Sequence, residues 1–229
     1  MRGCTILSLT LLGACAGAAD TAGHTSRASL AAWWGMPDGT PERVATATRL
    51  EDVDGAVGVL AQAAISVPAP YVPTIGIGGW TWSSDTGGTE VSASDVWVSA
   101  TWEWSALKTV AVFGGVAAHL TGLELDSRFA SPPALPASYD HSDVIPALVV
   151  GAWLRPIAIL DAGVELHLGA IGDRRLTAAQ AQLGWAVLPT PAISLGLTAG
   201  YRHQTIVSGG DGEAELTLHG PFLGLALTF

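Results

Sequence analysis

Residues 193–202 read ISLGLTAGYR, and every second side chain is of one kind. Ile193, Leu195, Leu197, Ala199 and Tyr201 share one face, while Ser194, Gly196, Thr198, Gly200 and Arg202 share the other. A period of two marks a β-strand whose faces meet unlike surroundings. The same alternation, broken by clusters of turn residues, recurs along most of the chain. It predicts ten strands, at about 28–35, 57–67, 73–83, 90–104, 109–124, 143–155, 159–171, 176–188, 193–207 and 213–229. The connections alternate as well. Those after even-numbered strands are tight: PAPY (68–71), SALK (105–108), RPIA (155–158) and PTPA (189–192). Those after odd-numbered strands are mostly longer and more polar: 36–56, 84–89, 125–142, DRR near 173–175 and SGGDGE at 208–213. Short turns at one end and longer loops at the other, around an even strand count, are the plan of an outer-membrane barrel. The expected fold is therefore all-β, a closed antiparallel up-and-down transmembrane barrel of about ten strands, with eight as the alternative count.

In LDAGVELHLGA (160–170), Leu160, Val164, Leu166 and Leu168 oppose Asp161, Gly163, Glu165 and His167. A soluble sandwich also alternates in this way. Its wet face, however, carries long charged side chains, whereas here glycine, alanine and serine dominate. That composition suits a lumen. Aromatic placement points the same way. If the first strand runs outward, Trp33, Trp34, Trp80, Trp82 and Tyr201 fall at outer strand ends. Trp102, Trp104, Trp153 and Trp185 then fall at inner ends, beside Tyr71 and Phe229. Two such belts are what headgroup-level girdles require. Trp97 and Phe113 lie well inside strands with inward parity. In the terminal stretch GPFLGLALTF, Leu223, Leu225, Leu227 and Phe229 are expected to face lipid, and Phe222, Gly224, Ala226 and Thr228 the lumen. Leu216 and Leu218 have the parity opposite to that lipid-facing row, so a bulge is expected at HGP (219–221), where Pro221 lacks a donor.

Composition narrows the setting. Of 229 residues, 49% are apolar and only 13% charged, and mean hydropathy is +0.40. Past the amino terminus no apolar run is long enough for a spanning helix. A closed barrel is the other way to satisfy a backbone in hydrocarbon. The net charge of −10 argues against a nucleic-acid partner. Arg2 followed by TILSLTLLGACAGAA reads as an export signal. Cleavage after the AGA at 16–18 removes residues 1–18 and leaves 19–229 as one barrel domain. LGAC (12–15) reads instead as a lipoprotein signal, which removes 1–14 and acylates Cys15. Neither reading leaves a cysteine pair, and no cofactor motif is present.

The second half of the chain resembles a family of small outer-membrane β-barrel proteins of Gram-negative bacteria. The residues that carry the likeness are LGLTAGYR (195–202) and AELTLHGPFLGLALTF (214–229), then SDVWVSATWEW (94–104) with VAVFGGVAAHLTGLEL (110–125), and less so VPTIGIGGWTW (72–82). The terminal Phe229 is similar to the assembly signal read by the barrel-insertion machinery. The resemblance implies an outer-membrane location with both termini periplasmic. It implies outer-membrane lipids, lipopolysaccharide and, during insertion, the assembly machinery as partners. It implies no activity. Where the family's third strand often carries inward charges, this chain has Gly76 and Gly78, which implies an emptier lumen or a smaller polar network.

The candidate lumen groups are Asp95, Glu103, His119, Asp161, Glu165, His167 and Arg202. Counting from strand ends sets Asp95, His119, His167 and Arg202 at similar height. A satisfied interior network is the expectation, with Arg202 compensating Glu165 or Asp95, because buried charges need partners. The alternative for the same residues is pore lining. No spacing demands a metal. YDHSD (139–143) groups Asp140, His141, Ser142 and Asp143 in what reads as an outer loop, and sequence neighbours rarely form a working dyad. Arg128, Arg174 and Arg175 read as loop charges. The expected function is a barrel without catalysis, structural or a narrow small-solute pore. The alternatives are a surface-binding barrel acting through loops 36–56 and 125–142, or a rim hydrolase using His141 or His119.

Overall fold

The computed structural model describes residues 26–38, 55–67, 69, 71–86, 89–107, 109–127, 138–190, 193–208 and 214–229. They form ten antiparallel strands: β1 (Arg27–Asp38), β2 (Ala56–Ile65), β3 (Thr74–Thr86), β4 (Thr89–Leu107), β5 (Val110–Ser127), β6 (Ser138–Ile157), β7 (Leu160–Ile171), β8 (Arg174–Pro189), β9 (Ser194–Ser208) and β10 (Ala214–Thr228). Each pairs with its sequence neighbours, and β1 pairs with β10, so the sheet closes with no free edge. Ser26 and Phe229 exchange backbone hydrogen bonds of 3.0 and 2.9 Å and complete the seam. The strand count is ten, not eight. The signal region (1–18), Cys15 and the greater part of the 36–56 and 125–142 connections lie outside the described residues.

Ser26, where β1 begins, Phe229 and the tight turns lie at one end of the barrel, called here the terminal end. At the far end two connections are shorter than expected. Residues 87–88 alone separate β3 from β4, and Gly172–Asp173 alone separate β7 from β8. Gly172 has φ of 61°, the left-handed value a two-residue primed hairpin asks of its first residue. Arg174 and Arg175, read as loop charges, are the first residues of β8. YDHSD is strand rather than loop, because β6 begins at Ser138 and pairs with β5 from Asp126 onward.

The two rows of each strand change character along its length, in opposite senses. On the outward row of β4, Trp104, Trp102, Val98 and Val96 give way to Ser94, Ser92 and Glu90 toward the far end. On β9, Leu195 and Leu197 give way to Tyr201, His203 and Thr205. On β10, Leu225 and Leu223 give way to His219, Thr217 and Glu215. Inward rows run the other way. On β3, Gly76 and Gly78 lead to buried Trp80 and Trp82. On β10, Thr228, Ala226 and Gly224 lead to Phe222, then Leu218 and Leu216.

The terminal half is thus apolar outside and, apart from a small cluster of Phe113, Val149 and Trp153, small or polar inside, and the far half is largely polar outside and apolar inside. Trp33, Trp80, Trp82, Leu60, Val91, Ile145, Leu176, Ile206, Leu216 and Leu218 fill the far half as one buried cluster. Trp33 and Trp80 meet edge to face at 5.2 Å.

This core corrects several expectations. Trp33, Trp80 and Trp82 are 0%, 2% and 1% exposed, so they belong to the lumen and not to a girdle. Trp153, at 5%, also points inward. Trp34, Trp102, Trp104, Trp185 and Tyr201 lie exposed on the outer wall. No bulge interrupts HGP. The β9–β10 register runs unbroken from Ala214 to Thr228, with Pro221 opposite Tyr201. Leu216 and Leu218 share the inward parity of Phe222, because the far lumen is itself apolar.

Gly76 and Gly78 do not leave the lumen empty. Gly78 stands opposite Trp97, and a Cβ there would lie 2.3 Å from the indole ring. The same pairing recurs at Phe113–Gly151, Trp153–Gly163 and Phe222–Gly200, each on one rung. Each inward aromatic lies across the glycine of the next strand, and a side chain there would collide with it.

Candidate functional site

A polar layer lies beneath the apolar core. Asp95 comes from β4, His119 from β5, Glu165 and His167 from β7, Gln180 from β8, and Arg202 and Gln204 from β9. All share the inward row of their strands. His119 Nδ1 lies 2.9 Å from Asp95 Oδ2 and 3.0 Å from Oδ1. Its Nε2 lies 2.8 Å from His167 Nδ1. His167 Nε2 lies 2.5 Å from Glu165 Oε1. On the other side of Asp95, Gln204 donates from Nε2 to Oδ2 at 2.9 Å.

Gln204 Oε1 accepts from Arg202 Nη2 at 2.6 Å and from Trp80 Nε1 at 2.8 Å. Arg202 Nη1 donates to Gln180 Oε1 at 2.9 Å, and Gln62 of β2 donates to that same oxygen at 3.0 Å. Trp97 holds the layer from within. Its ring stacks on His119 at 5.7 Å, and the Arg202 guanidinium lies 4.9 Å from its centre. Asp95 and His119 are fully buried, and His167, Arg202 and Gln204 nearly so. A buried polar group is costly unless paired. In this layer the pairing is dense enough to bridge seven of the ten strands.

Toward the terminal end the lumen opens into a vestibule of about 120 Å³, walled by Arg27, Gln62, Glu103, Asp161, Glu165 and Gln182 among others. The Arg27 guanidinium lies 3.5 Å over the Trp153 ring. Higher in the barrel, at the far rim of the core, Arg174 reaches buried Asp143 at 2.7 Å.

Of the residues singled out from sequence, Asp95, His119, Glu165, His167 and Arg202 converge. Asp161 and Glu103 do not join the hydrogen-bonded chain and instead wall the vestibule. Arg202 touches neither Glu165 nor Asp95 directly, but acts on Asp95 through Gln204. Sequence reasoning passed over Gln62, Gln180, Gln182, Gln204 and Arg27. Inward parity was the signal available, since Gln204 follows Arg202 by two and Gln180 faces Arg202 across a rung. Among the described residues no set of three or more histidine, cysteine or acidic side chains is placed to hold a metal.

No family model matches the chain, and no curated protein matches it. Solved structures do match. The outer membrane protease OmpT from Escherichia coli covers 92% of this chain over 99% of its own, with a TM-score of 0.53 at 10% identity. Neisserial surface protein A covers 89% over 97% of its own, at 0.45 and 11%. A FadL homologue of Pseudomonas aeruginosa covers 90% over 90% of its own, at 0.39 and 10%. At these identities the likeness is one of fold, and the fold is that of the outer-membrane β-barrels.

Proposed function

We propose that this chain is an integral outer-membrane barrel of a Gram-negative envelope that neither catalyses nor conducts. It serves as a closed scaffold holding a water-facing protein wall and its loops beyond the membrane. The observation that carries this reading is the buried cluster around Trp33, Trp80 and Trp82, which fills the far half of the lumen. Porins keep a polar, water-filled interior. Here a solute entering from the vestibule meets the Asp95–Arg202 layer and then packed indoles. The outer wall supports the membrane placement, because its terminal half exposes Leu30, Val98, Leu148, Leu197 and Leu225 in a continuous apolar band. In the proposed orientation the end that carries the tight turns, Ser26 and Phe229 would be the periplasmic one, as short turns there are usual in such barrels. Lipids and lipopolysaccharide would contact that band and its rim, and the insertion machinery would read Phe229.

A rim hydrolase using His119 is disfavoured, because both of its ring nitrogens are engaged and no solvent reaches its side chain. Single-channel recording of refolded protein in a planar bilayer tests the reading. Folding is verified by different gel migration of boiled and unboiled samples. A silent bilayer is expected. Discrete conductance steps would overturn the closed barrel in favour of a narrow pore, with Glu165→Gln and Arg202→Gln expected to shift its ion selectivity.

A further inference from the structure

Three hydrogen bonds run in series through the polar layer: Asp95 to His119, His119 to His167, and His167 to Glu165. Each needs one proton between its two heavy atoms. A neutral imidazole carries a single N–H, so two neutral rings supply two protons to three gaps. With both carboxylates ionised, every choice of tautomers leaves at least one gap in which lone pair faces lone pair. The open gap falls at Asp95, at Glu165 or between the rings. Its heavy atoms are no more than 3.0 Å apart, and the low local dielectric strengthens the repulsion.

We propose that Asp95, His119, His167 and Glu165 form a single proton-binding site, which holds a third proton on the paired imidazoles between two carboxylates. With that proton all three bonds are made at once and β4, β5 and β7 are tied across the lumen. The two carboxylates, the one extra proton and the Arg202 guanidinium then sum to zero charge in the layer. Trp97, stacked on His119, presents its ring face to the added positive charge. Glu165 walls the vestibule whereas Asp95 is fully buried, so exchange with solvent runs through the Glu165 end.

The charged groups around the site pull in both directions. Arg202 of β9 and Arg27 of β1 act on Glu165 against the added charge. Around Arg27 stand Arg155 of β6, which also opposes it, and Glu103 of β4 and Asp161 of β7, which favour it. Gln62 of β2, Gln180 of β8 and Trp80 of β3 face the layer as neutral groups.

The test is ¹⁵N NMR of the histidine rings of refolded protein in lipid nanodiscs, from about pH 5 to about pH 9. A doubly protonated ring in the His119–His167 pair is expected. If it is lost within that range, urea stability should fall as pH rises through the loss, because the folded barrel binds the extra proton and the unfolded chain does not. Glu165→Gln places a permanent N–H opposite His167, and Asp95→Asn places one opposite His119 while still accepting from Gln204. Either amide completes the chain with two neutral rings, so the doubly protonated signal should vanish and the stability curve lose that pH dependence. Should one variant fail to fold, the other makes the same prediction. Two neutral rings in the wild type throughout, or a doubly protonated ring persisting in a folded amide variant, would overturn the proposal.

Discussion

Followed from its terminal end to its far end, this barrel is two molecules built on one sheet. In the terminal half, Leu197 and Leu225 face outward while Thr198 and Gly224 face the lumen. In the far half of the same strands, Thr205 and Thr217 face outward while Ile206 and Leu218 are buried inside. Paired with β10, β9 runs in unbroken register from Ser194 to Ser208, so backbone geometry does not cause the reversal. The surroundings do. In lipid the outer wall must be apolar, and an apolar interior gains nothing from a water-driven hydrophobic effect. In water the same wall must be polar, and the barrel needs a buried apolar core like any soluble sandwich. The polar layer occupies the crossing point, where each side of the sheet exchanges one kind of surface for the other.

The largest effect should come from emptying the far core. Trp80→Ala removes a fully buried indole together with its bond to Gln204, and should cost about 3–5 kcal/mol in urea unfolding from vesicles. A loss under about 1 kcal/mol would mean that the core is loosely packed.

A pair of substitutions on one row of β9 tests the reversal directly. Leu197→Arg sets a charge in the apolar band and should cost about 2–4 kcal/mol. Thr205→Arg, on the same face beyond Tyr201, should stay within about 0.5 kcal/mol. Equal penalties would erase the distinction between the halves.

The finest discrimination comes from fluorescence in single-tryptophan variants. Lipids brominated in their acyl chains should quench Trp102, Trp104 and Trp185 and leave Trp33, Trp80, Trp82 and Trp97 bright, since the latter group is buried in the lumen. Quenching of Trp80 would return it to the outer wall.

Much of the fold was legible from period and punctuation, because alternation and turn chemistry are local. Ten strands, their order, most of their limits and the closed barrel follow from reading one residue against its neighbours. The inward rows could be listed in the same way, and with them Asp95, His119, Glu165, His167 and Arg202. What local pattern cannot carry is the chemistry of the space a row faces. Reading the lumen as uniformly small and polar sent Trp33, Trp80 and Trp82 to a girdle. The same assumption placed a bulge at HGP to explain Leu216 and Leu218, although their parity already pointed inward.

Which strands lie opposite one another across the lumen, and at what height, depends on shear and tilt accumulated over ten strands, and only closure sets these. Closure brings Gln204, distant in sequence from Asp95, to 2.9 Å from it. It also joins two histidines from non-adjacent strands into one chain. The sequence by itself determined a ten-stranded closed sheet with defined inward and outward rows, since each strand's pattern is local. Only the tertiary structure decided that the far lumen is filled by packed side chains, where its polar layer lies and which side chains join its hydrogen-bonded chain, because those are properties of the enclosed space.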